Sequence, residues 1–189
     1  MVAPYPFHEI KGTAFVTLVR WARQCPRPAG AYDALLDGLS PEDRRAILGA
    51  LPSDWFPEEL HVRAMRALAE NVARGNLAEY ERFIAECTKI GMASFARLVL
   101  TMASPSFVVR RMPALRNVLR RGPGTLAVEQ HDGVSELRYR GFPYFDEVVY
   151  RHYFRALLGA LVEPALGARP DVQIVAYGHD WLDARIAIG

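Results

Sequence analysis

The feature that most limits what this chain can fold into is a change of hydrophobic period about two-thirds of the way along it. Up to residue 121, apolar residues recur at helical spacing; from residue 122 they alternate. Leu126 and Val128 alternate with Ala127 and Glu129, and further on Leu137 and Tyr139 oppose Glu136, Arg138 and Arg140. Asp132-Gly133 stands between the two runs, and both residue types tolerate positive φ, so a two-residue hairpin is predicted. Residues 145 to 166 return to helical spacing. A second alternating pair follows, with Val172, Ile174 and Ala176 in one run and Leu182, Ala184, Ile186 and Ile188 in the other; Gly178-His179-Asp180 forms the turn. Helices, hairpin, helix, hairpin is an α+β order. It predicts a helical layer packed on a small antiparallel sheet of about four strands.

The first 121 residues divide at their prolines, glycines and caps. Pro4 and Pro6 predict an irregular arm over 1–10. Phe15, Leu18, Val19 and Ala22 predict a helix from Lys11 to Cys25, and a short one is expected over Ala29–Leu36. Ser40-Pro41-Glu42-Asp43 supplies an N-cap, a proline at the first helical position and first-turn acids. A further helix is expected to open at Asp54-Trp55-Phe56-Pro57 and stop at Gly75. Asn76 caps the next, which is expected to run from Leu77 to about Met102, with Gly91 bending it or admitting a neighbour. Ser104-Pro105 repeats the cap, and Pro113 predicts two short helices there. With no internal repeat and no linker-like stretch, the expectation is a single domain over 1–189: an arm (1–10), a mainly helical part (11–121) and a hairpin–helix–hairpin part (122–189).

The 189 residues are 51% hydrophobic and 11% aromatic, enough for a packed core and against a disordered chain. A formal net charge of +2 gives no electrostatic case for nucleic acid. The apolar stretches are broken well before a membrane span, no secretory signal is visible, and Cys25 and Cys87 are the two cysteines. The expected setting is a reducing cytoplasm with both thiols free.

A resemblance covers nearly the whole chain. Lys11-Gly12-Thr13-Ala14-Phe15, Trp55-Phe56-Pro57, Asp132-Gly133, Gly141-Phe142-Pro143 and Gly167-Ala168-Arg169 together resemble an uncharacterised paralogous protein family of myxobacteria. The element order is similar to the superfamily of haem-nitric-oxide-binding, vinyl-4-reductase-type and TRAPP vesicle-tethering domains. That similarity implies a hydrophobic cavity between helices and sheet, and dimerisation through helices in several members. It implies a binding or sensing module more than an enzyme.

The cofactor is unknown from these residues, with haem as the idea the similarity raises. Haem-nitric-oxide domains use a proximal histidine and a Tyr-x-Ser-x-Arg motif. The nearest cluster here, Tyr150-Arg151-His152-Tyr153, lacks the serine and the spacing, and His152 is its candidate ligand. His8, His61, His131, His152 and His179 form no metal-ligand spacing, and neither G-x-S-x-G nor a phosphate loop occurs. Cys87 falls on an apolar helix face, where a cysteine is usually inert. An acyl attachment there, as in TRAPP-like proteins, rests on no motif of this chain. Trp55, Tyr80, Phe83, Phe142, Tyr144, Phe145 and Tyr153 are the candidates for lining an apolar pocket, against a plain core role for each. The segment 108–121 holds five arginines and no acid. Arg110, Arg111, Arg116, Arg120 and Arg121 are therefore candidate anion contacts, against a solvated helix face. The leading expectation is a non-enzymatic cytoplasmic module that binds an apolar small molecule or a protein partner, with an apolar pocket between helices and sheet. The alternatives are a dimerising protein-interaction subunit without ligand and an enzyme whose site assembles only in three dimensions.

Overall fold

The computed structural model describes residues 8–92 and 101–188. Strand β1 (Glu9–Lys11) leads into α1 (Thr13–Gln24), α2 (Ala31–Asp37) and α3 (Pro41–Leu48). Strand β2 (Trp55–Pro57) precedes α4 (Glu58–Ala67), whose end widens into a π-turn over Leu68–Val72, and α5 (Leu77–Gly91). After 93–100 come α6 (Pro105–Leu119), β3 (Arg120–Arg121), the hairpin β4 (Thr125–His131) and β5 (Val134–Arg140), α7 (Val148–Leu166), and the hairpin β6 (Val172–Gly178) and β7 (Trp181–Ala187). The fold is α+β, as the change of period predicts.

The second half follows the sequence closely. Asp132 and Gly133 take φ of 46° and 78°, the paired positive values of a tight hairpin turn. The two hairpins join into one antiparallel sheet of order β4-β5-β7-β6. Its inner face carries Leu137, Tyr139, Leu182, Ala184 and Ile186, all buried. Its outer face carries cross-strand ion pairs, among them Arg138–Glu129 at 3.0 Å and Arg140–Asp183 at 2.6 Å. The caps also form as read. Ser40 and Ser104 accept from the amides of Asp43 and Phe107, and Asn76 from those of Ala78 and Glu79.

Four expectations are corrected. The arm does not stay irregular to residue 10, because Glu9–Lys11 pairs with a partner distant in sequence. That partner is Trp55–Pro57, which is strand and not the start of a helix, so α4 begins at Glu58. With Arg120–Arg121 these segments build a second sheet, β2-β1-β3, which no local pattern announced. The helix opening at Leu77 stops at Gly91, and the expected stretch from 93 to 100 lies outside the described residues. Pro113 does not divide its segment: α6 runs unbroken through it, held by Val108, Val109 and Met112 in the core on one side of the proline and Arg116 on the other.

Gly12 and Gly91 are the glycines that close approach requires. A Cβ on Gly12 would stand 2.1 Å from the Leu51 carbonyl oxygen, where β1 turns into α1. A Cβ on Gly91 would come within 3.1 Å of Thr17, where α5 meets α1. Gly91 thus admits a neighbouring helix.

Candidate functional site

Between the helical layer and the inner face of the four-stranded sheet lies a cavity of about 320 Å³. Helical stripes make its walls. Tyr153, Phe154, Leu157, Leu158 and Leu161 of α7 sit at the offsets that share one face, as do Met112, Leu115, Arg116 and Leu119 of α6. Ala14 and Leu18 come from α1, Met65 from α4, Ile84 and Cys87 from α5, and Leu126 and Tyr139 from the sheet. The lining is chiefly apolar, and its size falls at the small end of ligand sites, which run roughly 300–1,000 Å³.

One side of the wall is polar. Glu58 is fully buried at the start of α4, and Arg120 reaches it from β3 at 3.2 Å. The short pairing of β3 with β1 explains the placement, since alternation along a strand sends Arg120 inward and Arg121 out. Tyr150 donates its hydroxyl proton to Glu58. The Nδ1 of His61 lies 2.5 Å from that same hydroxyl oxygen and 3.3 Å from Glu58. Because the one proton of Tyr150 is committed to Glu58, Nδ1–H of His61 is the donor, and Nε2 carries the lone pair. Burial alone would push the Glu58 carboxyl up, but the Arg120 guanidinium and the hydrogen bonds from His61 and Tyr150 outweigh it and hold it at about 2. Burial pushes the His61 ring down, against the pull of Glu58, so the ring is neutral. Burial also raises the Tyr150 and Tyr153 hydroxyls, which keep their protons.

Arg116 is the other buried arginine among the described residues. Its Nε donates to the Tyr139 hydroxyl at 3.0 Å, Nη1 to Asn117 Oδ1 at 3.2 Å, and Nη2 to the carbonyls of Gly122 and Pro123 at 3.4 and 3.1 Å. All of these partners are neutral.

The structure gathers some of the sequence candidates and disperses others. Tyr153 is the one of the seven aromatics that lines the cavity. Phe142, Tyr144 and Phe145 stack with Tyr139, Tyr150 and Phe154 at centroid distances between 5.0 and 6.0 Å, closing the core below the strand-to-helix turn. Phe83 packs on Trp21, and Tyr80 is fully buried, its hydroxyl without a hydrogen-bond partner among the described residues. Trp55 lies on the outer side of the small sheet under Arg121, whose guanidinium is 3.9 Å from the ring centroid. Of the five arginines, Arg116 and Arg120 line the cavity. Arg110 instead donates to Gln130, and Arg111 lies over Phe107. The sequence reading did not single out Glu58, His61 and Tyr139. A carboxylate three residues past Trp55, at a helix start, reads as an ordinary first-turn acid, and nothing local shows that Arg120 reaches it.

Haem, which the superfamily similarity raises, needs a donor for iron in the lining. Cys87 does line the cavity, but burial pushes its thiol well up and it stays protonated. The Tyr139 and Tyr153 hydroxyls are engaged by Arg116 and Arg120. Helix α6 contains no histidine. His152 bonds to Glu81 and is absent from the cavity wall. His61 is the donor that fits, with Nδ1 held by Tyr150 and Glu58 and no hydrogen bond to Nε2 among the described residues, an orientation typical of metal-bound imidazoles. Among the described residues, no group of three or more His, Cys, Asp or Glu side chains is placed to hold a metal ion. No helix there is long and apolar enough to cross a membrane.

No family model matches the chain, so the resemblance to a myxobacterial family gains no support from that comparison. No curated protein matches it either. Solved structures do. The Fe(II) unliganded H-NOX protein from K. algicida superposes with a TM-score of 0.64 at 10% identity, covering 95% of this chain and 97% of that one. An H-NOX protein solved in work on haem distortion gives 0.62 at 16% identity, covering 95% of each. An oxygen-binding H-NOX domain related to soluble guanylate cyclases gives 0.59 at 16% identity, covering 94% of each. Over nearly its whole length, then, this chain has the fold of the H-NOX domains.

Proposed function

We propose that the protein is a non-enzymatic binding or sensing module that encloses an apolar small molecule between its helices and its sheet. The observation that carries this reading is the cavity of about 320 Å³, lined chiefly by apolar and aromatic side chains, with residues from five helices and four strands. A concave, chiefly apolar space of this size with a few convergent polar groups is the form that small-molecule sites take. The fold of H-NOX domains, whose named examples include an oxygen-binding protein, agrees with a sensing role.

The test is a titration with N-phenyl-1-naphthylamine, a neutral dye that fluoresces on entering apolar sites. The protein is expected to bind it saturably at one site, and Ala14→Phe, which projects a ring into the cavity, is expected to abolish binding while leaving the circular dichroism spectrum unchanged. Absence of a saturable signal in the parent protein would overturn the reading.

A second reading is haem, favoured by His61 in the cavity wall, whose Nδ1 is held by Tyr150 and Glu58. Haem bound there would supply an iron centre for a diatomic gas. His61 would hold the iron, and Arg116 and Arg120 would meet the propionates. Adding hemin and scanning for a Soret band that is lost in His61→Leu decides it.

A further inference from the structure

We infer that the cavity's ligand is an apolar acid, an apolar body ending in a single anionic head such as a carboxylate, and that Arg116 is the residue that receives the head. This rests on the proposal that the cavity takes a small molecule, and it adds the chemical class of that molecule.

The charge inventory of the wall carries the argument. Among the described residues the lining contains three cations, Lys11, Arg116 and Arg120, and no Asp or Glu. Lys11 extends its ammonium over the Trp55 ring, with Nζ 5.8 Å from the centroid, on the outer side of the small sheet. Arg120 is neutralised by Glu58 immediately behind it. That leaves Arg116, which is 9% exposed and bonds to four neutral acceptors: a phenol, a side-chain amide and two carbonyls. All of the chain's aspartates and glutamates lie among the described residues, and none forms an ion pair with it. A buried charge without a counter-ion is costly, and proteins normally pair it. These four bonds occupy four of the five N–H donors of a guanidinium, so among the described residues one Nη1 donor is unspent. A carboxylate in the cavity would accept from that donor and supply the missing charge. The Tyr139 hydroxyl, which accepts from Nε, keeps its own proton to donate to the same anion. The rest of the lining, from Leu115 and Leu119 to Leu157, Leu158 and Leu161, meets an apolar body.

The experiment compares dodecanoate with dodecanol, which share a chain and differ in the head, as competitors of bound N-phenyl-1-naphthylamine below their micellar concentrations at pH 8. Dodecanoate is expected to displace the dye roughly ten- to a hundredfold more tightly than dodecanol, the range of a charge-assisted pair in a desolvated site. In Arg116→Met the preference of acid over alcohol is expected to vanish. Equal displacement by acid and alcohol in the parent protein overturns the inference and leaves the cavity reading standing. So does a preference that persists in folded Arg116→Met. Failure of the dye to bind at all brings down both. If Arg116→Met does not fold, Arg116→Lys serves in its place: a point charge without the planar fork should shrink the preference several-fold, and an unchanged preference overturns the inference.

Discussion

Glu58 and Arg120 form a buried ion pair, and its energetics differ from those of the ion pairs on the outer sheet face. Exposed pairs such as Arg138–Glu129 contribute about 0–1 kcal/mol each. Removing one partner of a buried pair strands the other charge. Arg120→Met is therefore expected to destabilise the fold by about 3–5 kcal/mol. Glu58→Gln with Arg120→Met is expected to recover much of that loss, because no charge is left behind. Urea unfolding of the single and double variants at pH 7 measures both. The same carboxylate sets a pH dependence. Its folded value of about 2 lies below the unfolded 4.5, so on acidification the unfolded chain takes up the proton first. The stabilisation is fully present above about pH 4.5 and is lost as the pH falls towards about 2, on the order of 3 kcal/mol in all. Urea midpoints at pH 5, 4 and 3 should fall accordingly, and the fall should be shallower in the double variant. A parent and a double variant with parallel profiles would remove Glu58 from the account.

At the scale of elements, legibility followed locality. The β4–β5 hairpin was readable because its register is fixed by a two-residue turn and an alternation that lie side by side in sequence. The sheet β2-β1-β3 was not, since it joins residues 9–11, 55–57 and 120–121, each too short to carry a period. Its consequences are large: it buries Ile10 and aims Arg120 at Glu58, so half of the polar wall depends on contacts that no window of sequence contains. The arginine run was visible as charge, but whether each arginine is buried or exposed depends on the helix face and strand parity it lands on. Pro113 is the opposite lesson, a strong local signal overridden by packing on either side. An interior proline removes one helical hydrogen bond and costs about 3 kcal/mol relative to alanine where the helix cannot adjust. Pro113→Ala should restore the bond from residue 113 to the Val109 carbonyl and stabilise the protein by about 1–3 kcal/mol, read as a rise in thermal midpoint. A fall would mean that the proline's ring packing matters more than the missing bond.

For the whole molecule, the cavity and the stability of the fold are in opposition. The helical layer and the sheet could have closed on each other with larger side chains; instead α1 presents Thr13, Ala14 and Thr17 to the space, small residues opposite the leucines of α7. Empty apolar volume forfeits the contacts its walls would otherwise make, so a chain selected for stability alone would fill it. Substituting Ala14 tests whether it is kept open at a cost. Ala14→Leu adds three carbons facing the cavity, each worth about 0.8 kcal/mol when buried, against some loss of side-chain freedom. The expected net gain is about 1–2 kcal/mol in urea unfolding, together with at least a tenfold loss of N-phenyl-1-naphthylamine affinity. A gain in stability with unchanged dye binding would place the dye elsewhere on the molecule. A loss of stability would show that α1 already packs as tightly as its neighbours allow. Gain and loss together would mean that the ligand space is held open against the packing energy of the fold, as a binding module requires.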